Sequence, residues 1–334
     1  MGQRRDSSVG HAEVEQVFDT FLGLPQSACR YEDSRVVLLR APYDGSTSYV
    51  AGARGGPAAI LDASTQVELY DRELARSPSE VGIHTAGAIL PAAAAGPEAV
   101  MAQVELLARD VVGDDKFPFL LGGEHSLTLG AARAVAEAHP GVSFLQIDAH
   151  LDLRASYEGS RYSHACVAYN LLDLLSRLRG DADAPDAPDA PDASDASDSD
   201  AGGGGTLVHV GVRTACPEEL AIVEAEGLAP IWGEDCAAED DERWIARAIA
   251  GLGETVYVTV DVDGLDPSVI PGTGTPVPGG LTWYQVLHLL RAVGERRRVV
   301  GCDLMELAPG LGDHRSAYAA ALLVYKMIGY FTAS

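Results

Sequence analysis

Six short runs of apolar residues recur along the chain, separated by segments of helical spacing, and this alternation does most to narrow the possible folds. The runs are RVVLLR (35–40), FPFLL (117–121), SFLQID (143–148), LVHVGV (207–212), TVYVTVDVD (255–263) and RVVGCDLME (298–306). A strand open to water on one face alternates apolar with polar residues. These runs are apolar at nearly every position, as strands covered on both faces must be. GPAAILDASTQVELY, GPEAVMAQVELLARDVV, LTLGAARAVAEAH and LTWYQVLHLLRAV have apolar residues at helical spacing. A further apolar helix is expected from about Ser316 to Tyr330, closing the sheet or forming a subunit contact. Alternating βα units predict an α/β protein with helices on both sides of a mostly parallel central sheet.

With 334 residues, 47% of them hydrophobic, the chain is long enough for one large α/β domain, and we read 1–334 as a single domain. Two stretches stand apart from it: a variable N-terminal segment, 1–20, and an Asp/Ala/Pro-rich tract, 181–205. The tract holds eight aspartates and no basic residue, and setting it aside takes the formal charge from −25 to −17. So polar a segment has too little apolar surface to offset its ordering entropy, which predicts a disordered insertion.

The opening MGQRRDSSVGHAEVEQ lacks the apolar core of a secretory signal. No stretch approaches the roughly 20 apolar residues of a membrane span. Five scattered cysteines (Cys29, Cys166, Cys216, Cys236, Cys302) without a CxxC pair suit reduced thiols. A cytoplasmic protein is expected. A net charge of −25 repels nucleic acid and anionic membranes and favours a small cationic partner. Only Lys116 and Lys326 among the 24 basic residues are lysines. Such an acidic, lysine-poor surface would suit a high-salt cytoplasm, where screening tolerates self-repulsion.

Chemistry concentrates where the apolar runs end. In DAHLD, Asp148, His150 and Asp152 occupy alternate positions, and extended backbone places i, i+2 and i+4 on one face. TVYVTVDVDGLDP repeats the device with Asp261 and Asp263, two carboxylates that repel unless a cation lies between them. FLLGGEHSLTLG adds His125 after a Gly-Gly turn, with Ser126 as a candidate helix cap. Ligands of open α/β sheets bind at the C-terminal ends of the strands. Four aspartates and two histidines without sulfur suit manganese, with iron, cobalt or zinc as competitors. Six such side chains suffice for two ions sharing bridging carboxylates. Two ions roughly 3.5–4 Å apart can hold a water between them and lower its pKa.

GGEHS, DAHLDLR, SHAC, DVDGLDPSVIPGTGTPVPGGLTW and MELAP together resemble the ureohydrolase (arginase/agmatinase) family, and most of all its bacterial agmatinases. The likeness runs from APYDGSTSYVAGARGGPAAI (41–60) to the last helix. It implies a three-layer α/β/α arginase/deacetylase-like fold and two Mn2+ per subunit. His125, Asp148, Asp152 and Asp261 would hold one ion; His150, Asp148, Asp261 and Asp263 the other. Glu306 matches the glutamate that holds the substrate guanidinium, and His164 the proton-handling histidine at the mouth. The implied reaction is attack of a metal-bridging hydroxide on the guanidinium carbon of agmatine, giving putrescine and urea. N1-aminopropylagmatine, then guanidinobutyrate or arginine, are the alternative substrates. A non-catalytic metal-binding protein of the same fold is the reading from a different class.

Ser163-His164-Ala165 stands where arginases carry Asn-x-His-Gly, which favours a decarboxylated substrate. Glu158 would welcome a cationic tail, whereas Arg161 would meet a carboxylate. Val277 replaces the glutamate of the family's Gly-Thr-Pro-Glu-Pro-Gly-Gly. The family also implies a homo-oligomer, a trimer or hexamer. His11, His84, His139, His209, His288 and His314 fall outside the motifs, and His209, within an apolar run, is expected to be a hydrogen-bonded core residue.

Overall fold

The computed structural model describes residues 20–90, 96–180, 205–311 and 313–333. Apart from Thr20 and Gly205, the expected N-terminal segment and Asp-rich insertion lie outside the described residues. The strands are β1 (Val36–Ala41), β2 (Ile83–Ala88), β3 (Phe117–Gly122), β4 (Ser143–Ile147), β5 (Leu207–Val212), β6 (Ile231–Trp232), β7 (Thr255–Asp261) and β8 (Arg298–Met305). They form one sheet in the order β2-β1-β3-β8-β7-β4-β5-β6. Every neighbouring pair is parallel.

Why the runs are apolar throughout is visible in where alternate side chains go. Val36 and Leu38 enter one core cluster and Val37 and Leu39 the other; Phe119 and Leu121 part from Leu120 in the same way. Helices Gly56–Ser64, Trp283–Arg296 and His314–Phe331 cover the first face. Helices Pro97–Gly113, Thr128–Ala138 and Val167–Arg179 cover the second. Burying both faces is what a parallel sheet requires, because its crossovers lay helices on each side.

Six strands coincide with the apolar runs. β2 and β6 do not, for a physical reason: both are sheet edges, β2 half-buried with the sequence IHTAGA and β6 only two residues long. The helix expected over 56–70 stops at Ser64, whose hydroxyl donates to the Leu61 carbonyl and accepts from the Leu22 amide. Such side-chain bonding competes with helix continuation. The terminal helix runs His314–Phe331, begun by Asp313 accepting from the Arg315 amide, and packs on the chain's own sheet.

One row across the sheet breaks the apolar rule. His209, Gln146, Thr259 and Asp303 are successive register partners on β5, β4, β7 and β8, and all four are buried. Gln146 and Thr259 lie two residues before Asp148 and Asp261, so the row runs directly beneath the predicted ligands. The strands that lead into the candidate residues, β3, β8, β7 and β4, are adjacent in the middle of the sheet. Chain order and spatial order part company there, the switch point at which open α/β sheets bind ligands.

Candidate active site

All six predicted ligands converge. His125 Nδ1 lies 3.1 Å from Asp148 Oδ2, 3.3 Å from Asp152 Oδ2 and 3.4 Å from Asp261 Oδ2. His150 Nδ1 lies 3.5 Å from Asp148 Oδ1 and 3.1 Å from Asp263 Oδ2. Asp148 thus turns one oxygen to each histidine. Two ligand groups of three follow, His125/Asp148/Asp261 and Asp148/His150/Asp263.

The local backbone differs from the extended stagger that the spacing suggests. β4 ends at Ile147, Asp152 has φ of 52°, and Asp263 sits in a short turn, Val262–Gly264. Main-chain donors do the aiming instead. The His150 amide donates to Asp148 Oδ1 (2.7 Å), the Asp263 amide to Asp261 Oδ1 (2.8 Å) and the Ala149 amide to Asp263 Oδ1 (3.0 Å). Gln146 Nε2 donates to Asp148 Oδ2 at 2.8 Å. Gly123 is required for the approach of β3 to the site, since a Cβ there would lie 1.9 Å from the Tyr43 carbonyl oxygen. Ser126 is not a helix cap; its hydroxyl donates to Glu124 Oε1 at 2.5 Å.

So many buried carboxylates call for cations. Burial, then the charge of Asp148, lifts Asp152 to about 7. Burial, then the charges of Asp263 and Asp148, holds Asp261 well above the usual range. Burial opposes a charged imidazole, yet Asp148 and Asp263 outweigh it and raise His150 to about 12. His125 is raised likewise by Asp148, Asp152 and Asp261. Its Nδ1 is nonetheless a buried polar atom with no hydrogen-bond partner, aimed among three carboxylates. An orphaned imidazole nitrogen facing carboxylate oxygens is a donor set that fits a divalent cation.

Beside this cluster opens a cavity of about 300 Å³ whose wall includes His125, His150, Asp152, Asp261, Asp263, His164 and Glu306. Glu306 has φ of 64°, a strained conformation for a residue with a Cβ, of the kind that collects at functional sites. Its Oε1 accepts from the His125 amide at 2.7 Å. Burial, then the charge of Glu124, pushes its carboxyl up to about 8. Glu124 is itself buried and accepts from the Ser46 amide and hydroxyl, both at 2.6 Å.

His164 is fixed by the same loop. A carbonyl only accepts, so the 2.8 Å contact between Nδ1 and the Ser46 oxygen puts a proton on Nδ1. In the neutral ring Nε2 is then the acceptor, and Ser48 Oγ donates to it at 3.3 Å. Burial holds His164 below the ordinary histidine value. Tyr157 packs edge-on against the ring, centroids 6.0 Å apart.

Two predicted tail contacts stand elsewhere. Arg161 reaches the helix Val167–Arg179, 3.5 Å from both Asp173 Oδ2 and Asn170 Oδ1, and Glu158 is exposed at a turn with φ of 48°. Neither lines the cavity. The wall has Arg154 instead, its guanidinium 4.8 Å from the Tyr157 ring centroid, together with Thr47, Ser48 and Tyr49. Arg154 belongs to the DAHLDLR motif, and the left-handed backbone at Asp152 turns the chain between the ligands and Arg154. His209 is a buried residue bonded to the Leu151 carbonyl, 3.1 Å from Nε2, as expected of a core histidine. All five cysteines are free.

Comparison with known proteins agrees with this geometry. Residues 34–329 match the profile of the Arginase family. The chain is 36% identical to an N(1)-aminopropylagmatine ureohydrolase of Synechocystis sp., over 90% of this chain and 90% of that protein. It is 32% identical to an agmatinase of Pyrococcus horikoshii, over 88% and 91%. The crystal structure of the agmatine ureohydrolase of Thermoplasma volcanium superposes with a TM-score of 0.77 at 28% identity, covering 95% of this chain and 94% of that one. The chain belongs to the arginase family, and its sheet and helices are the arginase fold. Within that family it is a ureohydrolase of the agmatinase type. Among the described residues no helix is long and apolar enough to cross a membrane.

Proposed function

We propose that the protein hydrolyses an agmatine-type guanidine to an amine and urea, at a centre of two divalent cations held by His125, Asp148, His150, Asp152, Asp261 and Asp263. The observation that carries this reading is the convergence of those six side chains beside a cavity that also presents Glu306 and His164. Manganese is the metal we favour, because the donors are oxygen and imidazole nitrogen without thiolate. When bound, the ions supply a water activated for attack near neutral pH.

The chain's own residues do the rest. A guanidinium entering the cavity gives Glu306 the cation it lacks, in a charge-assisted pair that fixes the reacting carbon. His164 enters neutral, and its Nε2, an acceptor for the Ser48 hydroxyl at 3.3 Å, exchanges that partner to take the proton shed by the attacking water and return it to the departing amine. His164→Asn should retain both cations, checked by metal analysis, while kcat falls about a hundredfold, the low end for a proton-transfer group. Unchanged turnover would remove His164 from the chemistry.

For the tail, the residues around His164 favour a decarboxylated substrate, and agmatine is the reading they support. The 36% identity to an N(1)-aminopropylagmatine ureohydrolase, against 32% to an agmatinase, favours N1-aminopropylagmatine, and we place it first. Urea release with Mn2+ across N1-aminopropylagmatine, agmatine, arginine and guanidinobutyrate is the deciding assay. We expect the first two to exceed the others by at least about a hundredfold in kcat/KM. Preference for a carboxylate-bearing substrate would overturn the assignment, and Mn2+ binding without urea from any of the four would favour the non-catalytic reading. We further propose one domain, 1–334, in a cytoplasmic homo-oligomer, with 1–20 and 181–205 as additions. Strands from both sides of 181–205 pair in a single sheet, which supports the single domain.

A further inference from the structure

Asp303 is a fully buried carboxylate in the middle of the sheet, and both of its oxygens are taken by hydroxyls. Tyr257 Oη donates to Oδ2 at 2.8 Å and Thr259 Oγ1 donates to Oδ1 at 2.6 Å. A carboxylate is costly to place there unless its oxygens are hydrogen-bonded, as both are here. What it accomplishes is set by proton counting. Thr259 has a single hydroxyl proton, and Asp303 takes it. The lone pairs left on Oγ1 face His125 Nε2 at 2.8 Å and Thr128 Oγ1 at 3.3 Å. His125 Nε2 must therefore carry hydrogen and donate. In the neutral ring Nδ1 is then bare, and it is this atom that points among Asp148, Asp152 and Asp261.

We propose that Asp303 and Thr259 are positioning residues, which by fixing the direction of one hydrogen-bond chain, Asp303←Thr259←His125, select the His125 tautomer that presents Nδ1 to a cation. The proposal rests on the reading of His125 as a cation ligand. It distinguishes the two halves of the centre: His125 belongs to one ligand group only, so the chain acts on that group and leaves the one around His150 alone.

The test is calorimetric titration of the metal-stripped full chain with MnCl2. Native protein should show two sites. Thr259→Val, which keeps the shape and removes the hydroxyl, should weaken one site about 10–100-fold and leave the other within about threefold. Thr259→Ser should restore the native isotherm. Asp303→Asn should weaken the same site, because the new amide can donate to Oγ1 and release the Thr259 proton to oppose Nε2–H. Turnover of Thr259→Val should recover with excess Mn2+, which a merely structural defect would not allow. Native affinity at both sites in Thr259→Val, or equal weakening of both, overturns the proposal. Should Thr259→Val fail to fold, Asp303→Asn carries the same two outcomes. His125→Asn separates the premises: if it still binds two Mn2+ as tightly as the native chain, the ligand reading itself fails. If it loses one site while Thr259→Val and Asp303→Asn lose none, only the positioning proposal fails.

Discussion

Asp148→Ala should give a folded protein that neither retains divalent cation nor releases urea. Asp148 is common to both ligand groups, turning Oδ2 toward His125 and Oδ1 toward His150. Removing it strips an oxygen from each half of the centre at once. Loss of turnover should reach at least about 10⁴-fold, since deleting even a single preorganised stabilising group costs about 10²–10³. A second measurement separates this from simple misfolding. Mn2+ raises the thermal midpoint of a protein that binds it only when native, and this rise should vanish in the variant while the midpoint in chelator stays close to native. Undiminished turnover by metal-depleted Asp148→Ala would discard the proposed chemistry altogether.

Glu306→Gln should leave Mn2+ binding intact and lower kcat/KM by roughly 10²–10³-fold. Its carboxyl is buried, bonded to the His125 amide, and held up at about 8 by burial and by Glu124. A guanidinium arriving beside it restores the ionised form and gains a paired, hydrogen-bonded anion; an amide offers one acceptor and a donor that faces the substrate's own donors. Breaking a buried pair of this kind costs about 3–5 kcal/mol. Because the His125 amide bond survives the change, the loss belongs to the substrate. Metal analysis with kcat and KM measured separately checks this, and a variant that kept native kcat/KM would remove Glu306 from guanidinium recognition.

Much of the molecule was legible in the chain because two signals are strong. Apolar runs without alternation that are too short for a helix read as strands covered twice, and they match six of the eight strands found among the described residues. Asp148, His150, Asp152, Asp261, Asp263 and His125 stood out because cation-binding side chains followed those runs directly. Less visible was whatever depends on loop backbone. The left-handed residues Asp152 and Glu158 redirect the segment between them, so Arg154 faces the cavity while Arg161 turns to Asp173. Thr259 and Asp303 are hidden in the sequence for another reason. A single polar residue inside an apolar run gives no hint of a partner on the neighbouring strand, and only the register Thr259↔Asp303 joins them.

β8, at residues 298–305, is the last strand in the chain yet sits in the middle of the sheet, between β3 and β7. The two halves flanking it are joined in the sheet only through residues 298–305, which follow all the other strands among the described residues. A nascent or truncated chain ending before Arg298 therefore exposes two unpaired parallel strand edges and lacks Glu306. Such late, long-range closure is slow and leaves intermediates prone to aggregate. A fragment short of β8 keeps the pairing of β4 with β7 that leads to Asp148 and Asp261, but lacks the strand that ties β3, and with it His125, to them.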